Sequence, residues 1–327
     1  MTTIASTQSQ PARRTTKQLV KVAMPTIGYS VLVMFALVQI LPFIFTISNS
    51  FKCLPAIQAY PQSLVPVPPI DVTCEPRIID DTGRDRKTVL PADETSGRLT
   101  FNPTLDGYRE IFDQQLPRWL FNTAFVSLAV MFLRLLFDSL AGYALARLRF
   151  PGNRMIFFFV LSLLMIPGIV LLLPRFILLK EIGLLNSYPA LIIPFSASLF
   201  GVFLMKQFFE SIPKELEEAA MVDGAGRFTI FFRLILPIST PAMTALAIFS
   251  FQGMWNEFLQ VLLLVSSKSE LWTLPLGLSF LRGEFGEALR WHSFLAGSVI
   301  TTLPLALIFF MFQRYFVEGV SYTGLKG

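Results

Sequence analysis

Residues 22–51 read VAMPTIGYSVLVMFALVQILPFIFTISNSF, thirty positions between Lys21 and Lys52 without one charged side chain. A hydrocarbon layer about 30 Å thick is crossed by roughly 20 apolar residues at ~1.5 Å per residue. In lipid every backbone amide must be paired within its own segment, so such a run has to be a helix. It is also far longer than the apolar core of a signal peptide, roughly 7–15 residues. We read it as a retained first span, Met24 to Ile47.

Five more runs of the same character follow. They are Trp119 to Leu145, which carries Arg134 and Asp138; Met155 to Pro174; Ser187 to Met205; Ile238 to Val265, with Glu257 near its far end; and His292 to Phe312. The expected fold is all-α: a polytopic membrane protein with six transmembrane helices and a short cytoplasmic helix between the fourth and fifth. Pro167-Gly168 interrupts the third span, and no counterpart is read elsewhere, which argues against an inverted-repeat secondary transporter.

Composition agrees. Charged residues make up 15% of the chain and the mean hydropathy is +0.59, whereas a soluble domain carries about 25% charge. The net charge of +5 sits mostly on residues that flank apolar runs, where topology needs it, so no nucleic-acid partner is expected. One histidine and two cysteines leave little for a metal site or a histidine-based catalytic centre. No G-x-x-x-x-G-K-[ST] occurs, so no ATP site is expected in this chain. We expect no catalytic residue, no metal and no cofactor here.

Short basic segments orient the spans. Arg13, Arg14, Lys17 and Lys21 precede the first, and Arg147, Arg149 and Arg154 lie between the second and third with no acid among them. Both segments belong in the cytoplasm, and six spans then put both termini there. The resulting division is a cytoplasmic tail (1–23), span 1 (24–49), an extracytoplasmic loop (50–118), a permease core (119–313) with a cytoplasmic loop at 206–237, and a C-terminal tail (314–327). Leu105 to Phe112 reads as a short amphipathic helix near the membrane surface. His292 reads as an interfacial residue. Cys53 and Cys74 share the oxidising side; either they form a disulfide closing a loop of about 20 residues, or they are two unpaired small residues.

The cytoplasmic loop carries the most information: Ser211-Ile-Pro-Lys-Glu-Leu-Glu-Glu-Ala-Ala-Met-Val-Asp-Gly-Ala-Gly-Arg-Phe, then Phe231-Phe-Arg-Leu-Ile-Leu-Pro237. Ser211 suits an N-cap and Pro213 a first turn. Glu215, Glu217 and Glu218 fall where the helix dipole favours acids. Ala219 and Ala220 allow another surface to approach. Asp223-Gly224 ends the helix, with Gly224 free to take positive φ, and a second helix starts near Arg227. The product is a short rigid helix held crosswise under the membrane, either a docking element or an amphipathic linker.

Glu218-Ala219-Ala220, three residues, Gly224, nine residues, then Leu234-Ile235-Leu236-Pro237 resembles the signature loop of bacterial ABC importer permeases, with Leu234 where isoleucine is usual. Gly142 to Gly152, Trp255-Asn256-Glu257-Phe258 and the ending Gly319 to Gly327 are similar to segments of the carbohydrate type, the second permease subunit of the maltose-transporter kind. The resemblance covers most of the chain from about Phe101, plus span 1; the stretch Ala56 to Gly97 is longer than this type has. It implies that Glu218, Ala219, Ala220, Asp223 and Gly224 form the coupling helix that sits in a groove of an ATPase subunit. It implies that Gly324, Lys326 and Gly327 reach the ATPase pair. The implied partners are a second homologous permease, two ATP-binding-cassette ATPases that bind ATP and Mg, and an extracytoplasmic solute-binding protein.

Gln252, Asn256 and Gln260 recur every four residues and share one face of span 5, with Trp255 and Glu257 beside them. Amides and an aromatic plate suit a sugar; the same residues also suit interhelical hydrogen bonding. By resemblance most sugar contacts fall to the other permease, which leaves this stripe a gate or cavity lining. Arg134 and Asp138, four apart, are read as an ion pair on span 2. The expected cargo is an oligosaccharide or a glucoside-type compatible solute. Alternatives are glycerol phosphate, a polyamine or a peptide through the same machinery, an ion-coupled secondary transporter, or a membrane scaffold.

Overall fold

The computed structural model describes residues 16–59, 103–281 and 290–324. Among them there are helices and connecting turns and no strand. In chain order the helices are α1 (Thr16–Ser50), α2 (Leu54–Ala59), α3 (Asp106–Asp113), α4 (Leu116–Arg147), α5 (Asn153–Leu164), α6 (Leu172–Glu181), α7 (Tyr188–Ile192), α8 (Leu199–Ser211), α9 (Glu215–Val222), α10 (Arg227–Ile230), α11 (Leu236–Ile238), α12 (Thr240–Trp255), α13 (Leu259–Val265), α14 (Leu274–Phe280) and α15 (Trp291–Gly324). Among the described residues, four stretches are long and apolar enough to cross a membrane: Gly28–Ser50, Leu116–Arg147, Tyr188–Ser211 and Trp291–Phe312. Six result if two bent pairs each count as one span: Asn153–Leu164 with Gly168–Glu181, bent by 95°, and Arg227–Ile238 with Thr240–Trp255, bent by 80°.

The bends have local causes. Pro167 offers no N–H and pushes Ile166 away from helical backbone, so α5 stops short of it. Pro237 and Pro241 flank the second bend, where the Ser239 hydroxyl donates to the Ile235 carbonyl at 2.7 Å. Two further interruptions correct the expectation that span 3 is broken alone. Span 4 passes through a 3-10 turn at Ile193–Phe195 between α7 and α8, and span 5 is parted between Trp255 and Leu259. Irregular backbone at membrane depth is tolerated only where protein or a cavity covers it.

The helix α4 is the axis of the bundle and packs chiefly along α8 and α12. Its first half meets α6, α7 and α13 in one apolar cluster, with Val126, Leu191 and Val261 fully buried. Its last turns join α8 and the α10–α12 region around Tyr143, Met205 and Phe231. Trp119 at its start packs with α12 and α14, and α15 covers that third cluster. Outward-facing phenylalanine, leucine and isoleucine coat α1, α5 and α15, as lipid as solvent requires.

The predicted helix at Leu105 to Phe112 is α3, one residue displaced. It docks onto the start of α15, where Gly107 passes so close that a Cβ would stand 2.4 Å from the His292 carbonyl oxygen. His292 is not a bystander there: its Nε2 lies 2.5 Å from Glu110 Oε2. Arg290 Nη1 and Ser293 Oγ reach the same carboxylate at 2.8 and 2.7 Å. Burial alone would raise the Glu110 carboxyl. The His292 and Ser293 hydrogen bonds and the charges of His292 and Arg290 outweigh it and hold the carboxyl at about 2. A depressed carboxyl stabilises the folded junction above its ordinary value of 4.5, and that contribution is lost as the pH falls through about 2. Protection of α3 amides against hydrogen exchange, taken relative to the unfolded-chain rate at each pH, is therefore expected to fall between pH 4.5 and 2 in the wild type, and to be low already at pH 6 in Glu110→Gln; equal protection of both proteins at pH 6 contradicts the assignment.

Cys53 is buried at 4% exposure, while Cys74, its candidate partner, lies outside the described residues. The C-terminal tail is helical through Gly324 as a continuation of α15; Lys326 and Gly327 lie outside the described residues.

Candidate functional site

The loop between the fourth and fifth spans folds into α9, a turn and α10. Gly224 takes φ +84°, and its N–H and that of Ala225 return to the carbonyls of Met221 (3.0 Å) and Ala220 (2.9 Å), which closes the helix end. Ser211 does not cap α9 as expected. It is the last residue of α8, where its hydroxyl donates to the Phe208 carbonyl at 2.7 Å, and α9 begins at Glu215. Glu218, Ala219, Asp223 and Gly224 are exposed and Ala220 is half-buried. Val222 and Phe228 project from the same region at 88% and 76% exposure.

What holds α9 in place was not foreseen. Glu217 is the one buried residue of that helix. Its Oε1 lies 2.9 Å from Arg147 Nε, an ion pair without hydrogen-bond alignment, with side chains 5% and 3% exposed. Tyr143 donates to its Oε2 at 3.1 Å. Arg147 Nη2 also donates to the carbonyls of Phe209 (2.6 Å) and Ile212 (2.5 Å) at the end of α8. Tyr143 and Arg147 are four apart on α4 and so share a face, which the sequence does display; their partner 70 positions on is not legible there. Beside α9 opens a cleft of 1660 Å³, edged by Arg149, Arg154, Lys214, Glu218, Met221 and Arg227.

The second group of interest lies in the membrane. Gln252 on α12 and Asn256 just past its end are exposed, and the Asn256 side-chain amide donates to the Gln252 backbone carbonyl at 3.0 Å. Gln260 does not continue their stripe, because α12 ends at Trp255 and Gln260 belongs to α13. The Glu257 carboxylate accepts from the Gln260 N–H at 3.0 Å and so satisfies the first turn of α13. The Gln260 side-chain oxygen accepts from Arg175 on α6. Trp255 turns the other way: it is 2% exposed, stacks on Phe251 and donates to the Thr301 carbonyl at 3.1 Å.

The expected pair of Arg134 and Asp138 makes no direct contact, although the two charges still attract each other. Arg134 Nε donates to the Phe195 carbonyl at 2.8 Å, and Asp138 accepts from Ser198 N at 2.8 Å and Ser198 Oγ at 3.0 Å. Both answer backbone left open where span 4 is broken, a stronger demand in a low-dielectric site than an i,i+4 pair. Arg175 lies over the Phe195 ring, 4.6 Å from its centroid, so both arginines converge on that break. No group of three or more potential metal ligands exists among the described residues.

The arabinooligosaccharide transport system permease of Halalkalibacterium halodurans is 39% identical over 234 residues, 70% of this chain and 83% of that one. The sulfoquinovosyl glycerol transport system permease of Agrobacterium fabrum is 37% identical over 228 residues, 69% and 79% of the two chains. Among solved structures, a bacterial ABC transporter involved in the import of the acidic polysaccharide alginate matches with a TM-score of 0.70 over 94% of this chain and all of that one, at 20% identity, a likeness of fold. The model of the binding-protein-dependent transport system inner membrane component matches residues 113–322, which takes in α4, both bent pairs and α9. The chain belongs to the family of binding-protein-dependent transport system inner membrane components.

Proposed function

We propose that this permease subunit passes a sugar or sugar-like solute across the bacterial inner membrane. The solute is delivered by an extracytoplasmic binding protein, and the work is done by two ATP-binding-cassette ATPases that grip α9. A second, homologous permease completes the pathway, and ATP and Mg bind to the ATPases. Both termini lie in the cytoplasm, in keeping with the basic segments that flank the first three spans. The carbohydrate names carried by the relatives support the cargo class.

The observation that carries this reading is α9 itself: one buried acid on its inner side, and an outer side of Glu218, Ala219, Val222 and neighbouring Phe228 left open. An ATPase groove would cover that apolar surface. The test is a disulfide cross-link between Ala219→Cys and cysteines placed in the ATPase groove. Failure to cross-link in any nucleotide state rejects the docking.

Gln252 and Asn256 are polar, exposed and next to the break of span 5. They belong on the face turned to the solute path and not to lipid, where an unpaired amide is costly. Alanine at both positions is expected to change solute uptake by about three- to tenfold at unaltered subunit abundance, the loss of one or two hydrogen bonds. Unchanged uptake kinetics remove them from the pathway.

A further inference from the structure

We infer that Arg147 and Glu217 form a strut that makes α9 and the cytoplasmic end of α4 move as one body, so that force applied to α9 enters the bundle through α4 and α8. The inference rests on the reading of α9 as the docking element. Its basis is geometric. The chain leaves α8 for α9 through three residues, Ile212 to Lys214, and leaves α9 through Asp223 to Gly226 with Gly224 in the left-handed region. Neither link carries a helix through, so the backbone alone leaves α9 free to pivot. Side chains remove that freedom. The Arg147 guanidinium, rooted in α4, holds the carboxylate of Glu217 in α9 and two carbonyls at the end of α8. Three elements therefore meet on one guanidinium: its Nη2 bonds set its direction against α8, and the ion pair sets the distance of α9. Tyr143, one turn earlier, holds the other carboxylate oxygen.

The same turns of α4 are pressed onto α8. At Gly142 a Cβ would stand 2.8 Å from that of Met205 and 2.9 Å from the Lys206 nitrogen. The end of α4 cannot shift without taking α8 with it. A buried ion pair adds little net stability over apolar side chains of the same size, so its retention here points to geometry. Glu217 and Arg147 thus act as positioning residues. Their contacts are with α4, α8 and α9, and they transmit displacement.

Two experiments on the full reconstituted complex, with both ATPases and the binding protein, test this. Spin labels at Glu215→Cys and Arg149→Cys report whether α9 and the end of α4 move together. Their separation is expected to stay constant between nucleotide-free and nucleotide-trapped complexes while α9 moves relative to α1; a change of several ångströms between those states, on the scale of a helix ratchet, overturns the strut. The paired substitution Arg147→Met with Glu217→Leu removes both charges together and keeps the volume. It is expected to assemble and hydrolyse ATP while solute moved per ATP falls about tenfold. Wild-type stoichiometry in that variant overturns the inference even if Glu217→Leu alone fails, because a lone buried arginine is destabilising for another reason. Loss of the cross-link from Ala219→Cys to the ATPase in otherwise wild-type protein rejects the docking reading instead, so the two failures are distinguishable.

Discussion

Gly224→Pro is expected to lower ATP-driven uptake by about a hundredfold, the equivalent of ~3 kcal/mol, while the subunit still inserts and accumulates in the membrane. Gly224 stands at φ +84°, whereas the pyrrolidine ring fixes φ near −65°. Proline also has no N–H, so the bond to the Met221 carbonyl at 3.0 Å is lost. The closing turn of α9 must then open, and the exposed surface formed by Ala219, Val222 and Asp223 changes direction. Nothing lies within 4 Å of a Cβ at this position, so bulk plays no part. Gly224→Ala is accordingly expected to show only the cost of a left-handed alanine, about 1 kcal/mol, and a correspondingly smaller loss. Glu218→Lys reverses a charge in the first turn of α9 and on its exposed side, and uncoupling without loss of membrane insertion is expected there too. Uptake and binding-protein-stimulated ATP hydrolysis, measured in the same vesicles, decide the matter. Normal values of both in Gly224→Pro refute the assignment of this loop.

Gly201→Val is expected to destabilise the bundle by about 3 kcal/mol and to cut the amount of folded subunit severely. A Cβ on Gly201 would sit 2.0 Å from Asp138 Oδ2, 2.7 Å from its Cγ and 2.8 Å from Leu246 Cδ1. The carboxylate has nowhere to retreat, because it already accepts from the N–H and hydroxyl of Ser198, and that hydroxyl accepts from the Gly201 N–H at 2.8 Å. Moving Asp138 uncaps α8 where span 4 is broken and leaves a charge unpaired in the bundle. Gly28→Val is the control, since a Cβ there meets nothing within 4 Å. Detergent-solubilised protein followed through thermal aggregation should separate the two variants; coincident transitions rule out the close packing of Gly201 on Asp138.

Much of this protein was legible one segment at a time. The charge-free run from Val22 to Phe51 is a helix wherever it sits, because lipid leaves its backbone no other partner. The turn at Gly224, the helix at α3 and the break at Pro167 are likewise local, set by which φ angles and N–H groups a few neighbouring residues possess. Tertiary structure decided everything that required choosing between a near partner and a distant one. Arg134 and Asp138 have each other at four residues, yet take Phe195 and Ser198 at about 60, because the open backbone of span 4 has nothing else to bond. Ser211 serves α8 and not α9, and Gln260 leaves its stripe because span 5 parts at Asn256. Glu217 among three acids, and Glu110 with a histidine 182 positions away, acquire their roles only when α4 meets α9 and α3 meets α15. Periodicity and turn chemistry state what each segment needs; burial after assembly determines which of the available groups supplies it.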